Sequence, residues 1–277
     1  MQPGISLVAQ IVAVAFLSLS STIASAGAAT PSIACGAVAP RSSGPRTASV
    51  IELYTSEGCD SCPPADKWFS TLSFRRDGVV PLAFHVDYWD YIGWKDPFGK
   101  AAWTERQRST VARQGGRVVY TPQVLLDGRD ARAWAFNSKF DAGMRDLAAR
   151  PARAALRLAV NAVNPAATAI VVKINVNIAD AALRDESALF IALTENNLQS
   201  RVTAGENRGR TLKHDHVVRA LLGPIPIPSD PSGAIDIQRQ VDLGGDWKRA
   251  DLNIAGFVQN QRSGEVLQAL SAPLCGP

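Results

Sequence analysis

The first half of the chain alternates between short apolar runs and amphipathic segments, a pattern that predicts an α/β fold. Runs rich in β-branched residues predict strands, and apolar residues spaced three and four apart predict helices. In chain order the pattern predicts strand 49–54, helix 60–74, strand 79–86, helix 98–114, strand 117–126, a short strand 132–136 and helix 138–149. Asp127-Gly128 predicts a tight hairpin turn between the last two strands. The predicted order is therefore βαβαββα.

After residue 151, apolar and polar residues alternate, as in strands with one buried face. In the predicted strand 170–178, Val172, Ile174 and Val176 fall on the same face. Further strands are predicted at 154–160, 188–193, 234–241, 252–259 and 265–270. One segment, 212–222, predicts a helix with Thr211 as its N-cap. Short strands separated by turn signals predict a β-sandwich-like domain of roughly 120 residues.

Composition and charge place the chain among ordinary globular proteins. Of its 277 residues, 46% are apolar and 19% are charged, and the formal net charge is +4. No basic stripe with interleaved aromatic residues is present, so we expect no nucleic-acid partner.

The N-terminal segment has the pattern of a secretory signal. The first forty residues contain no charged side chain, and an apolar stretch at 5–19 precedes Ala24-Ser25-Ala26, a small-x-small cleavage pattern. We therefore expect a secreted or periplasmic protein without a stable membrane span after cleavage. An uncleaved anchor is the alternative, for which the apolar stretch is short. The predicted organisation is signal peptide 1–26, leader 27–47, α/β domain 48–150, β-sandwich-like domain 151–272 and tail 273–277.

Cys59 and Cys62 follow the first strand, with two residues between them. This spacing lets two thiols close a disulfide, and a first-turn position favours the thiolate of the leading cysteine. We expect Cys59, as the more exposed, to be the nucleophile and Cys62 to be the resolving thiol. The Asp60 carboxylate, ~7 Å from the Cys59 sulfur, opposes the thiolate by about 1 kcal/mol. The pair is therefore predicted to be reducing rather than strongly oxidising.

Two further cysteines stand at opposite ends of the exported part of the chain. In an oxidising compartment, Cys35 and Cys275 are most simply joined as a structural disulfide. In the alternative, Cys35 resolves a mixed disulfide at the active site, and Cys275 then lacks a partner.

Two other segments are candidates for the substrate site. Thr121-Pro122 lies inside a predicted strand, where a proline is costly unless it has a special role such as a cis turn at a site. Segment 87–103 is rich in aromatic residues, among them Tyr88, Trp89 and Trp94. These side chains are predicted to wall a substrate groove or, alternatively, to pack as a satellite core under a loop.

Metal and anion sites have weaker support. A structural zinc site needs four nitrogen or sulfur ligands, whereas His214 and His216 belong to the other predicted domain, far from His85. A copper site formed by Cys59, Cys62 and His85 remains an alternative, because soft thiolates suit Cu(I). His85 is otherwise a hydrogen-bonded residue at a strand end. We therefore expect no cofactor beyond a redox-active Cys59–Cys62 disulfide.

The segment 205–216 concentrates charges and hydrogen-bond donors. In it, Arg208 and Arg210 are candidates for holding an anion. A solvated loop or a clasp between the domains is the alternative.

Taken together, the cysteine segment and Thr121-Pro122 resemble the thioredoxin fold. In that fold a cis-proline loop faces a CxxC pair and holds an extended substrate against it. The resemblance implies a buried acid near the second cysteine, for which Glu52 is the candidate, with a salt-bridged or surface glutamate as the alternative. No tryptophan precedes Cys59, and Asp60-Ser61 replaces Gly-Pro, so substrate preference and potential do not transfer.

A closer resemblance is to the exported bacterial family labelled domain of unknown function 1223. It rests on segments 52–66, 85–90, 120–123 and 205–211 and covers roughly residues 48–272. The resemblance implies a thioredoxin-like domain and secretion, without an established activity.

The expected function is an exported thiol–disulfide oxidoreductase that reduces or isomerises disulfides. Its partners would be protein or peptide thiols and disulfides, together with a redox partner. The alternative is a thioredoxin-like protein that binds copper or a partner without turnover.

Overall fold

The computed structural model describes residues 38–73, 78–135, 137–161, 168–228 and 234–275, together with Met1 and Gly4. The described residues from Val38 onward belong to one compact unit. Apart from Met1 and Gly4, the predicted signal peptide lies outside the described residues, as does Cys35. No helix in the described part of the chain is long and apolar enough to cross a membrane.

In the described part of residues 49–148, four strands and three α-helices surround the cysteine turn. They are β2 (Ser49–Thr55), α1 (Pro63–Phe69), β3 (Val79–His85), α2 (Ala101–Arg113), β4 (Gln123–Leu126), β5 (Arg129–Asp130) and α3 (Asn137–Ala148). Strand β3 pairs in parallel with β2, whereas β4 is antiparallel to β2 and to β5. Every residue of β2 and β3 is buried, which explains their continuous apolar runs.

Several boundaries differ from the predicted ones. Helix α1 begins at Pro63 rather than at residue 60, because prolines favour the first helical positions. Strand β4 begins only at Gln123, directly after Pro122, which has no N–H for a strand ladder. Segment Arg132–Ala135, predicted as a strand, is a 3-10 helix. In the predicted leader, Val38–Ser42 forms strand β1, which pairs with β6 (Ala155–Asn161).

The C-terminal half is almost entirely strands. After β6 come β7 (Ala169–Asn177), α4 (Ala181–Asp185), β8 (Ser187–Glu195), β9 (Leu198–Arg201), β10 (Thr211–His214), β11 (Val217–Pro226), β12 (Ala234–Asp242), β13 (Leu252–Asn260) and β14 (Val266–Pro273). The predicted helix 212–222 is wrong, because this segment forms β10 and β11. Strand β11 lies between β8 and β3, and these distant partners override the local helical spacing.

The described strands form two large sheets and one small hairpin. The eight-stranded sheet has the order β14-β13-β8-β11-β3-β2-β4-β5, and the four-stranded sheet has the order β1-β6-β7-β12. Strands from both sides of the predicted boundary at residue 150 therefore share one sheet. The two large sheets pack through apolar side chains such as Ile174 and Ile254. At their contact, a Cβ on Gly256 would lie 2.7 Å from Ile174 Cδ1, so any larger residue there would require the Ile174 side chain to move.

The hairpin that joins β4 to β5 contains a buried carboxyl group. Asp127 and Gly128 have φ values of 48° and 76°, the left-handed conformation of both central residues in a type I′ turn. Asp127 Oδ1 accepts the Val50 N–H at 2.8 Å, and Oδ2 accepts the Ser49 hydroxyl at 3.1 Å. Burial raises the pKa of Asp127 to about 7.

This raised pKa predicts a loss of stability on going from acid to neutral pH. The folded protein binds the Asp127 proton more tightly than the unfolded chain, so the contribution is present at low pH and is lost as the pH rises through about 7. We expect Asp127→Asn to remove a fall of about 2–3 kcal/mol in unfolding free energy between about pH 5 and pH 7. Urea unfolding across pH measures this, with exposed Asp141→Asn as the control. An unchanged pH dependence in Asp127→Asn would contradict it.

Candidate redox site

The cysteine pair lies in the turn between β2 and α1. Cys59 and Cys62 are joined by a disulfide, with their Cα atoms 5.5 Å apart. The Cys62 N–H donates to the Cys59 carbonyl at 3.3 Å, and Cys62 is the N-cap of α1. The pair therefore precedes the helix instead of occupying its first turn, as the sequence had predicted.

Few hydrogen-bond donors are available to a Cys59 thiolate. Pro63 and Pro64 occupy the first two helical positions and have no N–H, while the N–H groups of Ala65 and Asp66 donate to the Cys62 carbonyl. The Ser61 hydroxyl, 3.3 Å from Cys59 Sγ, is a donor that sequence reasoning missed.

Both sulfur-bearing residues are covered in the disulfide form. Cys59 is 1% exposed and Cys62 is 0% exposed, so Cys59 is not appreciably the more accessible of the two. Asp60 and Ser61, between them, are exposed. The surface of the turn is therefore formed by these two loop residues and not by the sulfur atoms.

The predicted proline loop lies beside the cysteine turn. Gln123 pairs with Tyr54, so β4 begins at the edge of the sheet where β2 ends, and the Thr121–Pro122 bond that precedes it is cis. Trp89 links the two loops. Its Nε1 donates to Thr121 Oγ1 at 2.8 Å, and its Cβ would be 2.9 Å from a Cβ on Gly58.

The aromatic segment divides into a surface part and a supporting part. Tyr91 is 82% exposed, and its ring stacks on Trp89 with centroids 6.5 Å apart. Tyr88 packs against the core formed with β3, and Trp94 Nε1 donates to Glu57 Oε2 at 2.8 Å. Of the predicted groove residues, Trp89 thus borders the cysteine turn at Gly58, whereas Trp94 is hydrogen-bonded to the Glu57 carboxylate of that turn.

The loop between β9 and β10 clasps the cysteine turn from the C-terminal half. Asn207, which is 0% exposed, donates from Nδ2 to the carbonyls of Glu57 and Cys59, both at 2.9 Å. The Asp60 N–H donates to Glu206 Oε2 at 3.1 Å. Arg210, which was predicted to bind an anion, donates to Asn207 Oδ1 at 2.8 Å and holds that side chain in place. Arg208 is exposed.

Beneath the pair lies a buried group of histidines and carboxylates. His85 Nδ1 is 2.7 Å from Asp96 Oδ2, and His214 Nε2 is 3.0 Å from Glu57 Oε1. The two imidazole rings meet edge to face with centroids 4.8 Å apart. His214 Nδ1 is also 3.8 Å from Asp66 Oδ2. His214 is therefore part of this group, and the sequence-based separation of His214 from His85 is wrong.

Three members of this buried group have shifted pKa values. Burial raises the pKa of Asp66, although both histidines oppose the shift. Burial alone would lower the pKa of His85, but the charge and hydrogen bond of Asp96 raise it overall. Burial opposes ionisation of Asp96, yet His85 and backbone N–H groups lower its pKa. The hydrogen bond between His85 and Asp96 thus favours the protonated imidazole and the ionised carboxylate over their neutral forms.

Glu52 does not face the cysteines. It lies on the face of β2 opposite Leu53, and Leu53 packs with α1. Its carboxylate forms a buried ion pair with Arg106 and accepts the Tyr54 hydroxyl at 2.6 Å. The salt-bridged alternative therefore describes Glu52, and the implied role as an acid at Cys62 does not.

The remaining predicted sites have limited support in the described residues. No group of three histidine, cysteine or acidic side chains among them is arranged to hold a metal ion, so the copper alternative rests on the sequence alone. Cys275 is buried and not free, while Cys35 lies outside the described residues. The Cys35–Cys275 disulfide therefore stays a prediction.

Sequence reasoning missed Glu57, Asp66, Asp96, Glu206 and Asn207. Glu57 and Asp66 lie within the cysteine segment, and Glu206 and Asn207 lie within 205–211. Both segments carry the family resemblance, but nothing in the sequence indicated that they are in contact.

The family model described as "Protein of unknown function (DUF1223)" matches residues 50–259. No match was found among curated proteins. The chain is similar in structure to an X-ray crystal structure of a protein from Agrobacterium tumefaciens, with a TM-score of 0.58 and 22% identity, over 84% of this chain and 96% of that one. It is also similar to HBP35 of Porphyromonas gingivalis, with a TM-score of 0.62 and 17% identity, over 83% and 76%. These two similarities concern the fold alone.

Proposed function

Since the chain belongs to the DUF1223 family, whose function is unknown, we propose from its own site that it is an exported thiol–disulfide oxidoreductase. The observation that carries the proposal is the Cys59–Cys62 disulfide at the end of β2, in a turn flanked by the Thr121-Pro122 loop and Trp89. A disulfide of this spacing, closed over a short turn, is suited to cycling between the dithiol and disulfide forms.

In the proposed reaction, reduced Cys59 attacks a client disulfide as a thiolate. One client sulfur leaves as a thiol, and Cys59 is left in a mixed disulfide. Cys62 then attacks Cys59, which releases the second client thiol and regenerates the Cys59–Cys62 disulfide. Two electrons pass from the pair to the client, and a dithiol donor restores the pair.

The charges around Cys59 support a reducing direction. Asp60 and Glu206 place two carboxylates beside the turn, and the two prolines remove N–H donors that would otherwise stabilise a thiolate. An unstable thiolate makes the disulfide form the favoured one, so the dithiol gives up its electrons readily.

Export and the thioredoxin-like assignment belong to the same proposal. The apolar N-terminal segment and its Ala24-Ser25-Ala26 pattern favour export, and a buried disulfide suits an oxidising compartment. The order of β3, β2, β4 and β5, with a cis-proline before β4, supports relating this half to thioredoxin.

The experiment uses the Cys62→Ala variant as a trap. After incubation with a disulfide-containing peptide, we expect a stoichiometric mixed disulfide at Cys59 that mass spectrometry detects and dithiothreitol releases. The control is the Cys59→Ser/Cys62→Ala double variant, which keeps the surface but has no thiol at the site. Absence of the adduct in Cys62→Ala, with free Cys59 confirmed by mass, would rule out the proposed reaction.

The second candidate function is partner binding without turnover. The exposed Tyr91, stacked on Trp89, is the observation that favours it. Binding that survives in the double variant, and is lost in Tyr91→Ala, would support this function instead. Stoichiometric copper uptake without reductase turnover would support the metal-binding form of the same alternative.

A further inference from the structure

The peptide unit that links Cys59 to Asp60 is held at both ends by two consecutive residues of the C-terminal half. Its carbonyl accepts a hydrogen bond from Asn207 Nδ2 at 2.9 Å, and its N–H donates to Glu206 Oε2 at 3.1 Å. Because a peptide unit is planar, hydrogen bonds on its two opposite edges fix its rotation about the chain direction. The orientation of the Cys59 backbone, from which the thiol projects, is therefore set from outside the cysteine turn.

Asn207 uses both ends of its side-chain amide in this contact. Besides the Cys59 carbonyl, Nδ2 reaches the Glu57 carbonyl at 2.9 Å, while Oδ1 accepts the Arg210 guanidinium at 2.8 Å. The side chain is 0% exposed, so water cannot replace these bonds, and the loss of a buried donor leaves its acceptors unsatisfied. An amide bound through both its nitrogen and its oxygen has one favoured orientation.

The two cysteines are held by different parts of the fold. The Cys62 carbonyl accepts two N–H groups from the first turn of α1, at 2.9 and 3.1 Å, so Cys62 is fixed by its own helix. Within the turn, the hydrogen bonds of Cys59 are longer. Its N–H donates to the Ser56 carbonyl at 3.2 Å, and its carbonyl accepts the Cys62 N–H at 3.3 Å. The shortest backbone hydrogen bond of Cys59 in the described structure is the one from Asn207.

We propose that Asn207, assisted by Glu206, is the positioning residue that keeps Cys59 within reach of Cys62 when the pair is reduced. The inference rests on the proposed function and deepens it, because it gives the C-terminal half a role in the reaction. In the disulfide, the S–S bond itself holds the two Cα atoms 5.5 Å apart. In the dithiol that bond is absent, and the contact with Asn207 retains the geometry. Two thiols held in place have a high effective concentration towards each other, which favours closure.

The positioning role predicts a reciprocal coupling between the disulfide and the Asn207 contact. The oxidised turn is already fixed by a covalent bond, so it gains little freedom when Asn207 is removed. The reduced turn gains more, and closure must then remove that conformational entropy. Loss of the Asn207 side chain should therefore weaken the disulfide relative to the dithiol. By reciprocity, the disulfide favours the Asn207 contact by the same factor, so reduction should loosen segment 205–210.

The test is the redox equilibrium with glutathione, in which the reduced pair and one glutathione disulfide give the protein disulfide and two glutathione thiols. In Asn207→Ala we expect the equilibrium constant to fall about 10–100-fold, a shift of about 30–60 mV towards a more oxidising potential. The first step is isolated in Cys62→Ala, which stops at the mixed disulfide. Adding Asn207→Ala there should change the equilibrium less than about twofold, because effective concentration does not enter a bimolecular step. An unchanged overall constant, or a fall confined to the first step, would overturn the proposal.

The matched control is Asn260→Ala, the same substitution at another buried asparagine of the C-terminal half. Asn260 is 5% exposed, and its Oδ1 holds a loop by accepting two backbone N–H groups, both at 2.9 Å. That loop lies against Gly128, in the hairpin at the end of β2 opposite to the cysteine turn. Asn260→Ala should lower stability in both redox states alike and leave the glutathione equilibrium unchanged. A shift as large as that in Asn207→Ala would mean that general destabilisation moves the potential, and the specific role would fall.

Asn207→Ser is the second variant, used even if Asn207→Ala does not fold. A serine hydroxyl donates one hydrogen bond and can satisfy only one of the two carbonyls, so the constant should fall about 2–10-fold. An unchanged constant would contradict the role of Asn207. Neither variant changes a charge, whereas Glu206→Gln would also remove a carboxylate beside Cys59.

Wild-type protein supplies a measurement that needs no variant. After reduction, amide hydrogen exchange in segment 205–210 should be at least about tenfold faster than in the disulfide form. Equal exchange in the two redox states would overturn the coupling. If reduced wild-type protein does not react with glutathione disulfide at all, the proposed function fails and the positioning role fails with it. If wild type equilibrates and both Asn207 variants match it, only the positioning role fails.

Discussion

Arg106→Met is expected to lower the free energy of unfolding by about 3–5 kcal/mol, because it leaves the Glu52 carboxylate buried without a counter-charge. Glu52 is 1% exposed and forms its ion pair with Arg106, whose side chain is 9% exposed. The Tyr54 hydroxyl, at 2.6 Å, satisfies the other carboxylate oxygen but does not neutralise the charge. Urea unfolding of the oxidised protein measures the change.

The aromatic rings around Arg106 explain why methionine cannot replace its guanidinium. Its guanidinium lies 5.4 Å from the ring centroid of Phe84, 5.1 Å from that of Phe190 and 5.8 Å from that of Phe257. Phe190 and Phe257 belong to strands of the C-terminal half, so one side chain of α2 contacts both halves of the sheet. Methionine keeps apolar contact with these rings but loses both the cation–π interactions and the charge that balances Glu52.

Two controls separate this cost from a general loss of packing. Adding Glu52→Gln to Arg106→Met removes the unpaired charge and keeps the hydrogen bond to Tyr54, so most of the lost stability should return. Arg132→Met removes an exposed ion pair with Asp130 and should cost far less stability than Arg106→Met, because solvent screens exposed charges. A loss in Arg106→Met no larger than in Arg132→Met would mean that water reaches Glu52.

The local sequence pattern was sufficient to predict a strand where all residues of the segment have the same environment in the fold. Strands β2 and β3 are buried on both faces, and their apolar runs revealed them. The segment 212–222 failed because its spacing fits a helix, while its partners in β8 and β3 are supplied only by the fold. The proposed boundary near residue 150 marks a real change in pattern, yet β3 and β11 pair across it.

The candidate site, too, was predictable only where its signals are local in the sequence. The cysteine spacing and Thr121-Pro122 are local signals, and the fold brings them together. In contrast, Glu57 and His214 are separated by 157 positions, and no periodicity connects them. Alternation along β2 puts Glu52 and Leu53 on opposite faces, but only the fold shows that α1 packs on the Leu53 face and leaves Glu52 to Arg106.

Substitution of either cysteine should have the largest effect on activity, but the two variants should stop the reaction at different steps. In Cys59→Ser, reduction of a disulfide substrate should fall at least ~100-fold, because the serine hydroxyl stays protonated and cannot replace the thiolate as nucleophile. In Cys62→Ser, the first exchange at Cys59 should proceed, whereas turnover should stop at the mixed disulfide. Stopped-flow release of the first thiol, compared with steady-state reduction, measures the two steps separately.

This asymmetry distinguishes the two cysteines although their exposures are almost equal. Ser61 donates to Cys59 Sγ and Asn207 holds the Cys59 carbonyl, whereas Cys62 begins α1 above the buried Asp66. Cys59 therefore lies on the side of the turn next to the solvent-facing loop, and Cys62 on the side of the buried group. The control is Ser61→Ala, which removes a single donor to Cys59 Sγ and should slow the first exchange without stopping turnover. If Cys62→Ser lost the first exchange and Cys59→Ser retained it, the roles of the two cysteines would be reversed.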